Sequence, residues 1–132
     1  MNTTIGAKYR GCNAGGWYYS DKVEVLYKYQ CASLVYQGSY KGVAMASVGQ
    51  NIGRKDKHGT PIYTGDIVEF VDSYTNSKRR GVVAYNERYK LFALKLEFRG
   101  LVYWFTFDTI ENEVIVGNTY ENPQIAKTID KL

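Results

Sequence analysis

A period of two runs through most of the chain, the repeat of side chains that alternate across a strand. In "KLFALKLEF" (90–98) Phe92, Leu94, Leu96 and Phe98 fall on one face, with Ala93, Lys95 and Glu97 on the other. After Arg99-Gly100, the residues Leu101, Tyr103, Phe105 and Phe107 alternate with Val102, Trp104, Thr106 and Asp108. Two alternating runs joined by a two-residue turn containing Gly predict a β-hairpin. Its second strand is apolar on both faces, which predicts a central strand or one covered on both sides.

Other segments follow the same rule. "KVEVLYKYQ" (22–30) sets Val23, Val25, Tyr27 and Tyr29 against Glu24, Leu26, Lys28 and Gln30, while "SLVYQG" and "GVAMASV" give weaker strands. "GDIVEFV" puts Val68 and Phe70 on one side and Glu69 on the other, and it pairs with "GVVAYN" across the polar loop "DSYTNSKRR" (72–80). "NEVIVGN" is one more short strand. At the C-terminus Asn122 can cap a helix with Pro123 in its first turn, and Ile125 and Ile129 then lie one turn apart on one face. Many short strands at regular spacing predict a mainly-β fold, a small barrel or sandwich, closed by a short C-terminal helix. No repeat, low-complexity tract or linker interrupts the 132 residues, so one domain, 1–132, is expected.

Composition narrows the function classes. The apolar share of 45% and charged share of 23% belong to a globular chain. A formal charge of +4 permits contact with polyanions without demanding it. Cys12 and Cys31 form no CxxC pair, the N-terminal stretch lacks an apolar signal core, and "LVYWFTF" is far short of a membrane span. A soluble, cytoplasmic protein is expected. Tyrosine is abundant, at 13 residues. Such rings suit half-buried strands and also recognition surfaces.

Two long segments resemble the YopX-like family of phage and prophage proteins. "VGQNIGRKDKHGTPIYTGDIVEF" (48–70) is similar to its signature of an Ile-Gly step, an Asp-Lys-x-Gly turn and Ile-Tyr-x-Gly-Asp-Ile-Val. "VIVGNTYENPQI" (114–125) is similar to its closing motif, and "KYRG" and "GGWYY" more loosely to its opening. Thr64 stands where the family usually has an acidic residue, and Arg54 where an apolar one is common, so the loop here is more basic. The resemblance implies a mainly-β, partly open, SH3-like barrel with a tendency to self-associate, in a phage setting. It implies no established reaction and no catalytic residues.

The candidate chemistry is sparse. Gly65 suits a turn with φ > 0, and Asp66 can accept nearby backbone N–H groups, so both read as structural. Asp56-Lys57-His58-Gly59 has Asp first and Gly last, as type I turns prefer. His58 is the one histidine, which argues against a zinc site and leaves any Ser-His-Asp triad a single candidate base. No GxSxG, GxxxxGK[ST] or GxGxxG occurs. No enzyme, cofactor or metal is therefore expected.

What remains is a set of candidate contact residues: Arg54, Lys55, Lys57 and His58; Lys78, Arg79 and Arg80; and Tyr103 and Trp104. The second basic group is expected at a loop tip. These residues support an oligomeric interaction module that binds itself and a host or phage macromolecule, for which the phage setting implies blunting of a host defence. The alternatives are nucleic-acid binding and capture of a small nucleotide-like ligand, with arginines on phosphate and tyrosines on the base.

Overall fold

The computed structural model describes residues 6–26 and 31–127. The chain falls into two compact units, Met1–Asn51 and Ile52–Leu132. Among the described residues there are twelve strands, and a short helix spans Pro123–Lys127.

The first unit opens with the hairpin of β1 (Tyr9–Asn13) and β2 (Gly16–Ser20), in register from Tyr9 opposite Ser20 to Asn13 opposite Gly16. The antiparallel meander β3 (Val23–Leu26), β4 (Cys31–Tyr36) and β5 (Ser39–Ala44) follows. Its small core is Ala32, Leu34 and Val43, covered by Tyr9, Tyr18, Val23 and Val48. In the 3-10 turn Met45–Ser47, the Ser47 hydroxyl accepts the Cys12 N–H at 2.7 Å and donates to the Ala44 carbonyl at 2.6 Å. β6 (Gly49–Lys55) begins in this unit, where Gly49 and Gln50 pair with β1.

The second unit takes up β6 at Ile52 and continues through β7 (Pro61–Tyr63), β8 (Asp66–Asp72), β9 (Lys78–Asn86), β10 (Leu91–Phe98), β11 (Leu101–Phe105) and β12 (Ile110–Asn118). Five of these strands make one antiparallel sheet in the order β11-β10-β9-β8-β12, curled into a half-barrel. Its core is built from Val68 and Phe70 of β8, Val83 of β9, and Leu94 and Leu96 of β10, with Ile62, Phe107 and Ile110. Each such side chain contributes on the order of 1.5–3 kcal/mol when fully buried. Gly81 of β9 is required by close packing, since a Cβ there would lie 2.7 Å from Leu96 Cδ1 and 3.2 Å from Leu94 Cβ.

The mainly-β class, the partly open barrel and the short C-terminal helix agree with the sequence. The 91–105 hairpin is present with its expected faces. Four details differ or fall away. β9 starts at Lys78, so the expected loop tip residues Lys78, Arg79 and Arg80 are strand residues. β12 spans nine residues, with register shifts between Glu111 and Val114 and between Ile115 and Gly117. β11 is not central but a sheet edge. Tyr27 to Gln30, read as part of a strand, and Ile129, read as part of the helix, lie outside the described residues.

Candidate recognition surface

The β10–β11 hairpin turns through Arg99 and Gly100, whose φ values of 51° and 78° are both left-handed, as tight two-residue turns require. Five successive pairs, from Phe98–Leu101 to Leu94–Phe105, then lock β11 to β10. Phe105 is anchored against Phe70, ring centroids 5.4 Å apart, with the Arg79 guanidinium 5.6 Å from the Phe105 ring. The rest of β11 faces outward. Leu101 is 59% exposed, Val102 49%, Tyr103 43% and Trp104 37%. Alternation told which residues share a face but not where the strand stands in the sheet. That is why a strand apolar on both faces was expected to be covered and is instead an edge.

The second basic group is engaged with acids of β8. Glu69 lies opposite Arg80 in the strand register and Val71 opposite Lys78. The Glu69 carboxylate forms an ion pair with Arg80 and lies 3.7 Å from the Lys78 ammonium. Arg79 Nε donates to Asp72 at 3.4 Å. The Arg80 hydrogen bond, helped by the charges of Arg80 and Lys78, outweighs burial and holds Glu69 below its ordinary value of 4.5.

The first basic group is more open. Arg54, Lys55, Lys57 and His58 are all exposed. Arg54 sits 4.9 Å from the Phe107 ring centre, donates to the Phe107 carbonyl at 3.4 Å, and lies 3.6 Å from Glu113. It forms one wall of an open cleft of about 500 Å³, whose other lining includes Phe92, Phe107, Thr106 and Asp108. The two basic groups share no partner in these pairs.

Beneath the basic turn lies Asp56, which is buried. Its carboxylate accepts the N–H groups of His58 and Thr60, each at 2.9 Å, and of Ile115 at 3.1 Å. Burial alone would raise its pKa. The three backbone donors and the His58 charge outweigh that and hold it below 3.8. Asp66 is also buried and accepts the Tyr63 N–H at 2.8 Å. Beside it Gly65, at φ 91°, donates to the Val83 carbonyl and accepts from Thr119. Asp72, not singled out from the sequence, is buried too and accepts the Tyr74 N–H at 2.9 Å. Burial pushes it upward, yet the Tyr74 and Thr75 donors and Arg79 bring it below 3.8.

Several residues of this surface escaped sequence reasoning. Glu69 and Asp72 were unmarked because their partners are set by strand register. The alternation places Leu101 and Val102 in a central or covered strand, although the uncharged run "LVYWF" is also a signal that the strand carries no guard. Among the described residues no group of three or more His, Cys, Asp and Glu side chains is placed to hold a metal ion. No described helix is long and apolar enough to cross a membrane.

These features define a mainly-β protein whose buried carboxylates serve its turns and whose rings crowd an open sheet edge. The chain belongs to the YopX family: the model of the YopX protein family matches residues 8–127, through both compact units. That membership points to a protein of phage or prophage type. No curated protein matches the chain.

Proposed function

We propose that this YopX-family protein acts by non-covalent recognition, as a homo-oligomeric module in the host cytoplasm that binds a host or phage macromolecule. The observation that carries the reading is the β11 edge, where Leu101, Val102, Tyr103 and Trp104 are exposed in succession. Contiguous apolar surface of this kind marks interaction sites, and Tyr and Trp are the side chains that anchor interfaces. The titratable groups support the same reading. Asp56, Asp66 and Asp72 accept backbone N–H groups, and Glu69 is engaged with two cations. None of these assembles with His58 into an acid–base pair in the hydrogen bonds described. Blunting of a host defence rests on the family setting, and its check is whether a phage lacking the gene plates less well on a defended host.

Native mass spectrometry of the purified protein tests the central reading. The expected result is an assembly of identical chains with no bound small molecule. A monomer carrying a co-purified nucleotide would overturn it. That outcome is the second reading, and one observation favours it: the cleft beside Arg54 offers a cation and the Phe92 and Phe107 rings together. Nucleic acid is less well supported, since Lys78, Arg79 and Arg80 already face carboxylates.

A further inference from the structure

We propose that the outer edge of β11 pairs antiparallel with β11 of a second copy, about a two-fold axis at Tyr103, joining two five-stranded sheets into one. The proposal rests on the homo-oligomeric reading above and supplies its contact.

A sheet edge presents a row of backbone N–H and C=O groups, and proteins usually guard it with charges, proline or bulges. The two edges of this sheet differ in that respect. β12 carries Glu111 and Glu113, and its pairing slips twice. β11 reads Leu-Val-Tyr-Trp-Phe, with no charge, no proline and no shift in five successive pairs. No described strand lies on its outer side. Its apolar side chains are exposed on both faces of the sheet, because Val102 and Trp104 alternate with Leu101 and Tyr103.

Charge and symmetry select a second copy as the occupant. With Tyr103 opposite itself, Leu101 faces Phe105 and Val102 faces Trp104, so every cross-strand pair is apolar on both faces. Arg99 stands just before the strand and Asp108 just after it, both exposed. Antiparallel pairing brings the Arg99 end of each copy to the Asp108 end of the other, giving two opposite-charge contacts by symmetry. Parallel pairing would instead set Arg99 against Arg99. A five-residue edge covers much less than the roughly 800 Å² per partner of a standard interface, so the dimer is expected to be concentration-dependent.

Directly opposite residues of an antiparallel pair have Cα atoms about 4.5–5.5 Å apart, within disulfide reach. Tyr103→Cys is therefore expected to form a disulfide-linked dimer under mild oxidant, with the 103–103 linked peptide found by mass spectrometry. Leu101→Cys is the control: its two copies would lie about 14 Å apart and stay unlinked. Val102→Lys with Trp104→Lys should lower assembly at least tenfold by light scattering at high micromolar concentration, with an unchanged circular dichroism spectrum. Arg99→Glu or Asp108→Lys alone should weaken assembly, and the two together should restore it.

A monomeric wild type together with a Tyr103→Cys variant that gives no linked 103–103 peptide would sink both the contact and the oligomeric reading. Wild-type oligomer whose Tyr103→Cys variant stays unlinked, and whose double-lysine variant still assembles, would overturn the β11 contact alone. Linking of Leu101→Cys instead of Tyr103→Cys would overturn the register.

Discussion

Asp56, Asp66 and Asp72 are buried carboxylates at three turns, and each accepts a backbone N–H from its turn, that of Tyr63 in a buried bond and those of His58 and Tyr74 in part-buried ones. Asp56 does the most, joining its own turn to Ile115 of β12. Truncation in Asp56→Ala leaves three donors unpaired and is expected to cost about 2–4 kcal/mol, since each buried unmatched group costs about 1–3 kcal/mol and water can reach some of them. The shift of the urea midpoint reads this out. The pH dependence has a definite sign. The folded-state pKa of Asp56 lies below 3.8, so its contribution is fully present above that value and is lost as pH falls through the folded value. Asp72 and Glu69 act in the same direction. The wild type should therefore lose stability on acidification below about pH 4. Asp56→Asn should start less stable and show a shallower acid limb; an unchanged limb would remove Asp56 from this role. The turn itself was legible, because Asp-Lys-His-Gly carries the residue types a tight turn needs. The Ile115 donor was not, because it is distant in sequence and arrives only through the pairing of strands.

At the level of elements, the alternation of apolar and polar residues was enough to place β8, β10 and the hairpin turn at Arg99-Gly100. It failed at Lys78, Arg79 and Arg80, which look like loop because they are polar, yet they extend β9 where Glu69 and Asp72 balance their charge. It failed again at β11, since periodicity describes the faces of one strand and says nothing of the order of strands in a sheet. The same register explains Gly81. It lies opposite Val68 on one side and beneath the Leu94 and Leu96 side chains of β10 on the other. Gly81→Ala is expected to destabilise by about 1–3 kcal/mol through overpacking, although alanine is the better strand residue in isolation. Thermal denaturation measures it. Leu96→Ala in the same chain should relieve part of the Gly81→Ala penalty, because the nearest obstructing atom is Leu96 Cδ1. Purely additive losses would count against this packing account.

For the whole molecule, the question is whether a net charge of +4 amounts to a surface for polyanions. Formal charge counts every cation alike, whereas counterion release depends on cations free to meet phosphates. Arg54, Lys78, Arg79 and Arg80 each lie within 4.0 Å of a carboxylate, so four of the six Lys and Arg residues singled out from the sequence are already partly neutralised. Surface pairs such as Arg54–Glu113 and Lys78–Glu69 contribute little to stability, roughly 0–1 kcal/mol each, but together with the more buried Arg79–Asp72 and Arg80–Glu69 pairs they lower the positive potential where it would otherwise be concentrated. The wild type is therefore expected to leave a single-stranded DNA column at low salt, with a shallow dependence of affinity on salt. Glu69→Gln removes the acid shared by Lys78 and Arg80 while leaving the sheet register intact. If both cations then meet phosphates, the slope of log affinity against log salt steepens by about 1.4, from a single-strand contribution of about 0.7 per contact. Fluorescence anisotropy with a labelled oligonucleotide across a salt series distinguishes the cases. Steep binding by the wild type itself would mean that the carboxylates yield to phosphate, and that the molecule reads polyanions despite its internal pairs. Weak binding that Glu69→Gln strengthens would instead make Glu69 the residue that keeps this basic strand away from nucleic acid and leaves recognition to the aromatic edge.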